Sequence, residues 1–195
     1  MKNRSGFTLI ELLVVIAIIA ILLGLLFSVG PGVLDRAKKV QAKNDTTQIV
    51  TAVNAFYTEY GRYPTNATTD ATATYGPGGS NTENGSLLSE LRATTTVLNT
   101  RQIVFVSPPD VRDQTKPRLG IKTSTSGWYD PWGTEYAIAI DADYDNQVAT
   151  NPYGNNSGAG ASPLRLGVIA WSLGKDLTLG KSGSYTGSDD VISWQ

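Results

Sequence analysis

Carboxylates are the main reactive side chains in this sequence. Its 195 residues include 17 Asp and Glu and 16 Lys and Arg, but neither His nor Cys. A Ser-His-Asp triad, a Cys nucleophile, a zinc site of the usual type, haem ligation and a disulfide framework are therefore excluded. The formal charge of −1 gives no electrostatic footprint for nucleic acid, so we expect no such partner. A hard-cation site built from oxygen ligands, a binding surface or a structural role remains.

One acidic cluster has the opening spacing of an EF-hand loop and reads Asp141-Ala142-Asp143-Tyr144-Asp145-Asn146. The sixth position is not Gly, the twelfth is Pro152 and no Glu closes the loop, so an EF-hand is excluded. A solvated strand end is the interpretation we favour, and a calcium loop of another kind is the alternative. Asp143 and Asp145 could also do glycosidase chemistry, but no pocket motif accompanies them, and we expect no catalytic residues.

A long uncharged segment follows another carboxylate, Glu11. Leu12 to Leu34 carries no charge, and as a helix its 23 residues would extend roughly 35 Å, enough to cross a hydrocarbon core of about 30 Å. We therefore predict a transmembrane segment. A carboxylate in a membrane helix costs about 2.5–3.5 kcal/mol and usually has a partner. A secretory signal peptide is disfavoured because no small-x-small cleavage site follows, and a plain membrane anchor leaves Glu11 unexplained.

The residues around Glu11 resemble a known processing site. Lys2-Asn3-Arg4-Ser5-Gly6-Phe7-Thr8-Leu9-Ile10-Glu11-Leu12 is similar to the leader and mature N terminus of the type IV pilin and type II secretion pseudopilin superfamily. The resemblance implies cleavage after Gly6 by a prepilin peptidase and N-methylation of Phe7. It also implies that Glu11 pairs with the N-terminal amine of a neighbouring subunit during filament assembly, since a buried carboxylate is tolerable only when it is paired.

The resemblance further implies an α+β, pilin-like fold in which a long N-terminal helix packs on a small antiparallel β-sheet head. We assign residues 1–6 to a cleaved leader, 7–34 to a transmembrane and filament-core helix, 35–62 to its amphipathic continuation, and 63–195 to a periplasmic globular head. The implied location is a single pass through the inner membrane with a cytoplasmic N terminus and a filament in the periplasm. Basic residues lie on both sides of the segment, so charge alone does not settle its orientation.

Beyond Leu34 the sequence becomes amphipathic. Apolar residues recur at spacings of three and four, which predicts one helix face packed on the head. Gly61 and Pro64 predict the end of this helix. Gly30-Pro31-Gly32 predicts a kink or a locally unwound stretch. The predicted buried face comprises Val33, Ala37, Val40, Ile49, Val53, Phe56 and Tyr60.

In the head, composition predicts an exposed loop over residues 65–85, a short helix over 87–91 capped by Asn84 or Ser86, and a strand over 102–106. Residues 136–140 alternate as a half-buried strand would, and residues 166–172 form a second strand. We expect these two strands to pair antiparallel and to lie on the amphipathic half of the long helix. All four Trp fall in the last 68 residues, which places the core there.

The C-terminal half carries a second resemblance. Three segments resemble signatures of the major pseudopilin of type II secretion: Asp130-Pro131-Trp132-Gly133, residues 171–176 and residues 189–194. The resemblance implies a bound calcium ion. Calcium takes oxygen ligands from carboxylates, carbonyls and hydroxyls, which this part of the sequence supplies. Leu177 stands where this family usually has Gly, and residues 65–125 do not resemble it. Carried over by position, the calcium ligands are Leu173, Asp176, Asp189 and Asp190, with Ser184 as a further candidate.

These observations favour a structural subunit without enzymatic activity. The leading hypothesis is a pseudopilin that self-associates into a helical filament and works with the inner-membrane secretion platform and other pseudopilins in protein export. The alternative is a type IV pilin of a surface fibre, and the absence of cysteine favours the pseudopilin because many pilins close a C-terminal loop with a disulfide. A membrane-tethered binding module or hydrolase is the remote alternative.

Overall fold

The computed structural model describes residues 7–149, 151–154 and 158–195, without the side chains of residues 25–31. The predicted leader, including Gly6, lies outside the described residues. The chain forms two compact units, Met1–Lys38 and Lys39–Gln195.

The first helix, α1, runs from Leu9 to Tyr60. It continues through Gly30-Pro31-Gly32, so the predicted alternative of a locally unwound stretch is wrong, because the hydrogen bonds of the turns on either side of a proline can maintain the helix. The other alternative, a kink, stays a prediction. The described side chains of residues 7–24 are all exposed, so the apolar surface of this segment is not buried within its own unit. At the other end, Gly61 has φ +66° and its N–H bonds the Tyr57 carbonyl, which confirms the predicted helix stop.

In the second unit, one face of α1 packs on the head. Ile49, Val53 and Phe56 are completely buried, as their spacing predicts. Val40, predicted on the same face, is instead 70% exposed, and the predicted Val33 and Ala37, which lie in the first unit, are exposed as well. The buried stripe passes through Ala42, and two residues of helix turn the chain by about 200°, which places Val40 on the opposite side.

Six short strands build the sheets of the head: β1 (Thr74–Tyr75), β2 (Gly120–Ile121), β3 (Trp128–Tyr129), β4 (Ala137–Ile140), β5 (Val168–Ser172) and β6 (Val191–Ile192). Four of them form an antiparallel sheet that covers this helix face, in the order β1-β4-β5-β6. The predicted pairing of the two longest strands is confirmed, because residue 137 lies opposite 171 and residue 140 opposite 168. A separate two-stranded sheet joins β2 to β3.

The two central strands are buried on both faces, so the prediction of a half-buried β4 is wrong. Ile138 and Ile140 pack in the core cluster that contains the α1 residues. Ala137 and Ala139 pack in a second cluster with Tyr153 and Trp171. The second face is buried because the connection between β4 and β5 folds back over it, and the alternating pattern does not reveal such a cover.

The segment of residues 65–125 contributes to the fold more than predicted. Residues 65–85 are not a plain exposed loop, because they contain a 3-10 turn (Asp70–Thr72) and the edge strand β1. The predicted short helix exists as α2 (Gly85–Leu91), whose Leu87, Leu88 and Leu91 are buried, so the core is not confined to the Trp-rich end. The predicted strand over 102–106 is absent; its Phe105 and Val106 N–H groups bond the Leu91 carbonyl instead.

Candidate functional sites

The candidate assembly residue, Glu11, lies in the first turn of α1. Its Oε2 accepts hydrogen bonds from the Thr8 N–H at 2.8 Å and the Thr8 hydroxyl at 2.6 Å, and Thr8 Oγ1 lies 3.4 Å from the Glu11 N–H. Because α1 begins at Leu9, this reciprocal arrangement is a capping box. Sequence reasoning passed over it, although Thr followed three residues later by Glu before an apolar run signals it.

The capping box gives Glu11 a role within one chain. It holds the carboxylate beside the start of the helix, close to the end of the mature chain that cleavage after Gly6 would create. Phe7 is 77% exposed there, so its backbone is accessible to an enzyme or to a neighbour. The prediction that Glu11 pairs with a neighbouring amine stays a prediction.

At the other end of the chain, three of the four predicted calcium ligands come together. One carboxylate oxygen from each of Asp176, Asp189 and Asp190 lies within 4.8 Å of the other two. The fourth, Leu173, has its side chain buried with Trp171 in the second core cluster, so its backbone carbonyl is the group that could ligate. The two ends of the connection between β5 and β6 therefore make one acidic site.

Asp190 is the most buried carboxylate of this acidic site. The residue is 5% exposed, and its Oδ2 accepts hydrogen bonds from the Tyr153 hydroxyl at 2.7 Å and the Gly180 N–H at 2.8 Å. Its Oδ1 is buried and has no hydrogen-bond partner among the described residues. Burial raises the pKa of this carboxyl, and the nearby Asp189 and Asp176 raise it further. A buried, unsatisfied carboxylate oxygen is costly, and a cation would offset that cost.

Asp189 and Asp176 shape the rest of the acidic site. Asp189 Oδ2 accepts hydrogen bonds from the N–H groups of Lys175 at 2.5 Å and Asp176 at 3.2 Å. Asp176 Oδ1 accepts the Thr178 N–H at 2.9 Å, and hydrogen bonds to Thr178 lower the pKa of the Asp176 carboxyl. Three carboxylates, one of them buried, therefore converge, and carboxylate oxygens are ligands that calcium takes.

The backbone at position 177 adopts a conformation that favours glycine. Leu177 has φ +59°, a conformation that costs an ordinary residue about 1–2 kcal/mol. Gly174, at φ +68°, is needed for a second reason, because a Cβ there would lie 2.7 Å from the Asp189 carbonyl oxygen. Glycine at position 174 therefore leaves room for Asp189, whereas Leu177 carries the cost of its backbone angle.

The Asp130-Pro131-Trp132-Gly133 turn positions this loop rather than doing chemistry. Asp130 is completely buried, and its Oδ1 accepts three backbone N–H groups, those of residues 132–134, at 2.7–3.0 Å. Its Oδ2 accepts the Ser172 hydroxyl at 2.6 Å, and Ser172 Oγ accepts the Gly174 N–H at 3.1 Å. This chain of hydrogen bonds joins the turn to the end of β5, from which the loop of Asp176 departs.

A second acidic group was only partly visible in the sequence. Carboxylate oxygens of Asp70, Asp141 and Asp143 also lie within 4.8 Å of one another. Asp70 accepts the N–H groups of Ala142 at 2.8 Å and Ala149 at 2.7 Å, and Asp141 accepts those of residues 145 and 146. Asp141 is buried, so the favoured interpretation of a solvated strand end holds only for the exposed Asp143 and its neighbours. Asp70 was missed because it lies 71 residues earlier, in a segment predicted to be loop.

Residues 1–27 match the model of the prokaryotic N-terminal methylation motif. Neither the curated proteins nor the solved structures contain a match to this chain. The motif, with a long N-terminal helix packed on a small antiparallel sheet, supports a type IV pilin-like or pseudopilin protein. It implies processing by a prepilin peptidase, assembly into a filament, and a structural rather than enzymatic role. The resemblance of residues 130–194 to the major pseudopilin gains no support from these comparisons.

The motif also suggests membrane anchoring. Among the helices that the structure describes, none combines the length and the apolar character needed to cross a membrane.

Proposed function

We propose that this chain is a pseudopilin that assembles into a periplasmic filament of a type II secretion system and so drives protein export. The observation that carries the proposal is the methylation motif, which places Glu11 at the start of an exposed apolar helix. The absence of cysteine and the Asp130–Gly133 turn favour secretion over a surface pilus. The proposed subunit crosses the inner membrane once through residues 7–34, with its head in the periplasm and the secretion platform and other pseudopilins as partners.

The assembly role is tested at the capping box, where two variants separate the two functions of Glu11. Thr8→Val removes the hydroxyl of the cap, whereas Glu11→Gln keeps an oxygen acceptor for it and removes the charge proposed to pair with a neighbouring amine. In cells that process prepilins, we expect Thr8→Val to form sheared filaments at nearly the normal level. Glu11→Gln should reduce them about tenfold or more, as expected when a buried charge loses its pairing role.

Mass spectrometry of the same material provides the control. Both variants and the unaltered chain should begin at an N-methylated Phe7, which shows that the loss of filaments is not a loss of processing. An intact leader in cells that process other prepilins, or normal filaments from Glu11→Gln, would contradict the proposal. Deleting the gene distinguishes the alternatives: loss of exported proteins from the medium supports secretion, whereas loss of surface fibres supports a pilus.

We also propose that Asp176, Asp189 and Asp190, with the Leu173 carbonyl, hold a calcium ion. The unsatisfied Asp190 Oδ1 supports this, because a cation supplies the missing partner. When bound, the ion would fasten the loop after β5 to the residues that lead into β6 and so stabilise the C-terminal part of the head.

Calcium titration of the purified full-length protein in detergent micelles tests the site. A ligand that binds only the folded state raises the melting temperature, and a chelator should reverse the rise. We expect Asp189→Asn to abolish the calcium response. Asp143→Asn is the matched control, because it alters the second acidic group and should leave the response intact. A melting temperature that calcium does not change, or a response lost in Asp143→Asn but kept in Asp189→Asn, would refute this site.

A further inference from the structure

A cationic groove lies beside the first turns of α1 in the second unit. This cavity, of about 610 Å³, is lined by Lys39, Val40 and Lys43 on one side and by residues near the C terminus on the other. Lys43 Nζ donates hydrogen bonds to the carbonyls of Ile192 at 2.8 Å and Ser193 at 3.3 Å, and to that of Gln195. The C-terminal segment is thereby held against the helix as one wall of the groove.

The charge that this groove presents is positive. Lys39 is half-buried and forms no ion pair with any residue that the structure describes. The acid that lines the groove, Asp190, is 5% exposed and turned towards Tyr153 and Gly180. Val40, 70% exposed, adds an apolar contact surface next to Lys39.

The loop of residues 141–146, called the acidic loop below, carries negative charge, opposite to that of the groove. Asp143 and Asp145 are exposed and form no ion pair with any described residue. Their hydrogen bonds are local: Asp143 accepts the Asp145 N–H, and Asp145 accepts the backbone and side-chain N–H groups of Gln147. Residues 123–164, which include this loop, contain no Lys or Arg.

This acidic loop is fixed at the far end of the helix. The Tyr144 ring lies 5.5 Å from the Tyr63 ring and 6.3 Å from the Tyr57 ring, and its hydroxyl accepts the Tyr63 N–H at 3.2 Å. Tyr57 follows Lys43 by 14 residues, which corresponds to about 21 Å along a helix. The cationic groove and the acidic loop therefore lie at opposite ends of the helical part of this unit and cannot neutralise each other within one chain.

We infer that the cationic groove of one copy receives the acidic loop of a second copy. A contact between two different surfaces of the same molecule is heterologous, so it can repeat without closing and generates a helical filament. Charge complementarity between surfaces orients the copies and disfavours the opposite polarity. This inference rests on the proposed function and deepens it by naming the contact between successive heads.

Cysteine cross-linking tests the inference directly, because the chain has no cysteine of its own. A chain carrying both Lys39→Cys and Asp145→Cys, expressed at full length in assembling cells and oxidised, should give a ladder of disulfide-linked oligomers. A bond within one chain is excluded, because Cα atoms more than about 7 Å apart cannot be bridged. Lys116→Cys with Asp145→Cys is the control; Lys116 is exposed but lies outside the groove, and should give no ladder.

Charge reversal provides an independent measurement. We expect Lys39→Glu, and Asp143→Lys with Asp145→Lys, each to reduce sheared filaments roughly tenfold, because like charges then meet. Combining the three substitutions should restore filaments to within about twofold of the unaltered chain, a rescue that a folding defect would not show. Glu83→Lys, at an exposed acid elsewhere, should have no effect.

The outcomes separate this inference from the proposed function. The inferred contact between two copies is overturned if the charge-reversal variants form normal filaments and the chain with Lys39→Cys and Asp145→Cys gives no ladder. That outcome leaves the proposed filament function intact. Failure of the unaltered chain to form filaments in cells that process it overturns the proposed function instead.

Discussion

At the scale of single residues, a carboxylate is buried where α1 meets the head. Asp45 is 4% exposed, and its oxygens accept hydrogen bonds from the Tyr136 hydroxyl and the Gln41 amide, each at 2.8 Å. Burial raises the pKa of the Asp45 carboxyl, the hydrogen bonds oppose the rise, and the nearby Asp130 adds to it. Asp45 thus orients the helix on the head at an electrostatic cost.

The raised pKa predicts a definite dependence of stability on pH. Because the folded chain holds the Asp45 proton more tightly than the unfolded chain, the free energy of unfolding decreases as the pH rises from about 3.8 towards the higher folded-state pKa. Asp45→Asn should lack this decrease, so the stability of the unaltered chain relative to Asp45→Asn should fall across that window. Thermal melts at a series of pH values measure it.

The control for this prediction has the opposite sign. Hydrogen bonds from Thr115 lower the pKa of the exposed Asp113 carboxyl, so its contribution to stability appears as the pH rises and is lost as the pH falls. Relative to Asp113→Asn, the unaltered chain should therefore gain stability with rising pH. Equal pH slopes for the two comparisons would show that Asp45 is not the titrating group.

At the scale of elements, the loop after β5 depends on one close approach. Gly174 and Gly183 both have positive φ, at +68° and +77°, but only at Gly174 would a Cβ meet other atoms, those of Asp189. Substitution of Gly183 therefore tests the backbone conformation alone, whereas substitution of Gly174 tests the backbone conformation together with a steric clash.

We predict that Gly174→Ala destabilises the head more than Gly183→Ala. In both variants the left-handed conformation of Ala should lower the free energy of unfolding by about 1–2 kcal/mol. Gly174→Ala must also displace Asp189, which should lower it by about 1 kcal/mol or more in addition. It should also weaken the calcium response, since Asp189 is a proposed ligand. Chemical denaturation of both variants measures the difference, and equal destabilisation would argue against the tight approach.

At the scale of the whole molecule, residues 65–125 are part of the fold. Asn84 is completely buried, and its amide donates to the carbonyls of Trp128 at 3.2 Å and Tyr136 at 2.8 Å, while its Oδ1 accepts the Trp128 N–H at 2.9 Å. Asn84 is the N-cap residue of α2, one of the two predicted positions, but its side chain makes no capping hydrogen bond because these bonds to the strands occupy it. One amide therefore ties this segment to the strands of the head.

Asn84→Ala should consequently destabilise the entire head. Removing the amide leaves buried backbone groups of Trp128 and Tyr136 without partners, which we expect to cost about 2–4 kcal/mol. Asn66→Ala, at an exposed position of the same segment, should change stability by less than about 0.5 kcal/mol. Urea unfolding measures both; a small effect of Asn84→Ala would mean that the segment is only loosely attached.

The sequence by itself determined what depends on local spacing. The buried positions Ile49, Val53 and Phe56, the helix end at Gly61 and the pairing of β4 with β5 follow from periodicity and turn chemistry, which neighbouring residues establish. The capping box between Thr8 and Glu11 was present in the sequence in the same local form.

Only the tertiary structure decided which distant residues meet. It brought Asp70 to Asp141, joined the Asn84 amide to Trp128, and gathered Asp176, Asp189 and Asp190 around an unsatisfied oxygen. Each such contact is made across many residues of chain, and its stability comes from the burial and hydrogen bonding of both partners together. No local pattern contains that information: the sequence grouped Asp176, Asp189 and Asp190 only through a resemblance, and the place of Asp70 beside Asp141 became visible only once the chain was folded.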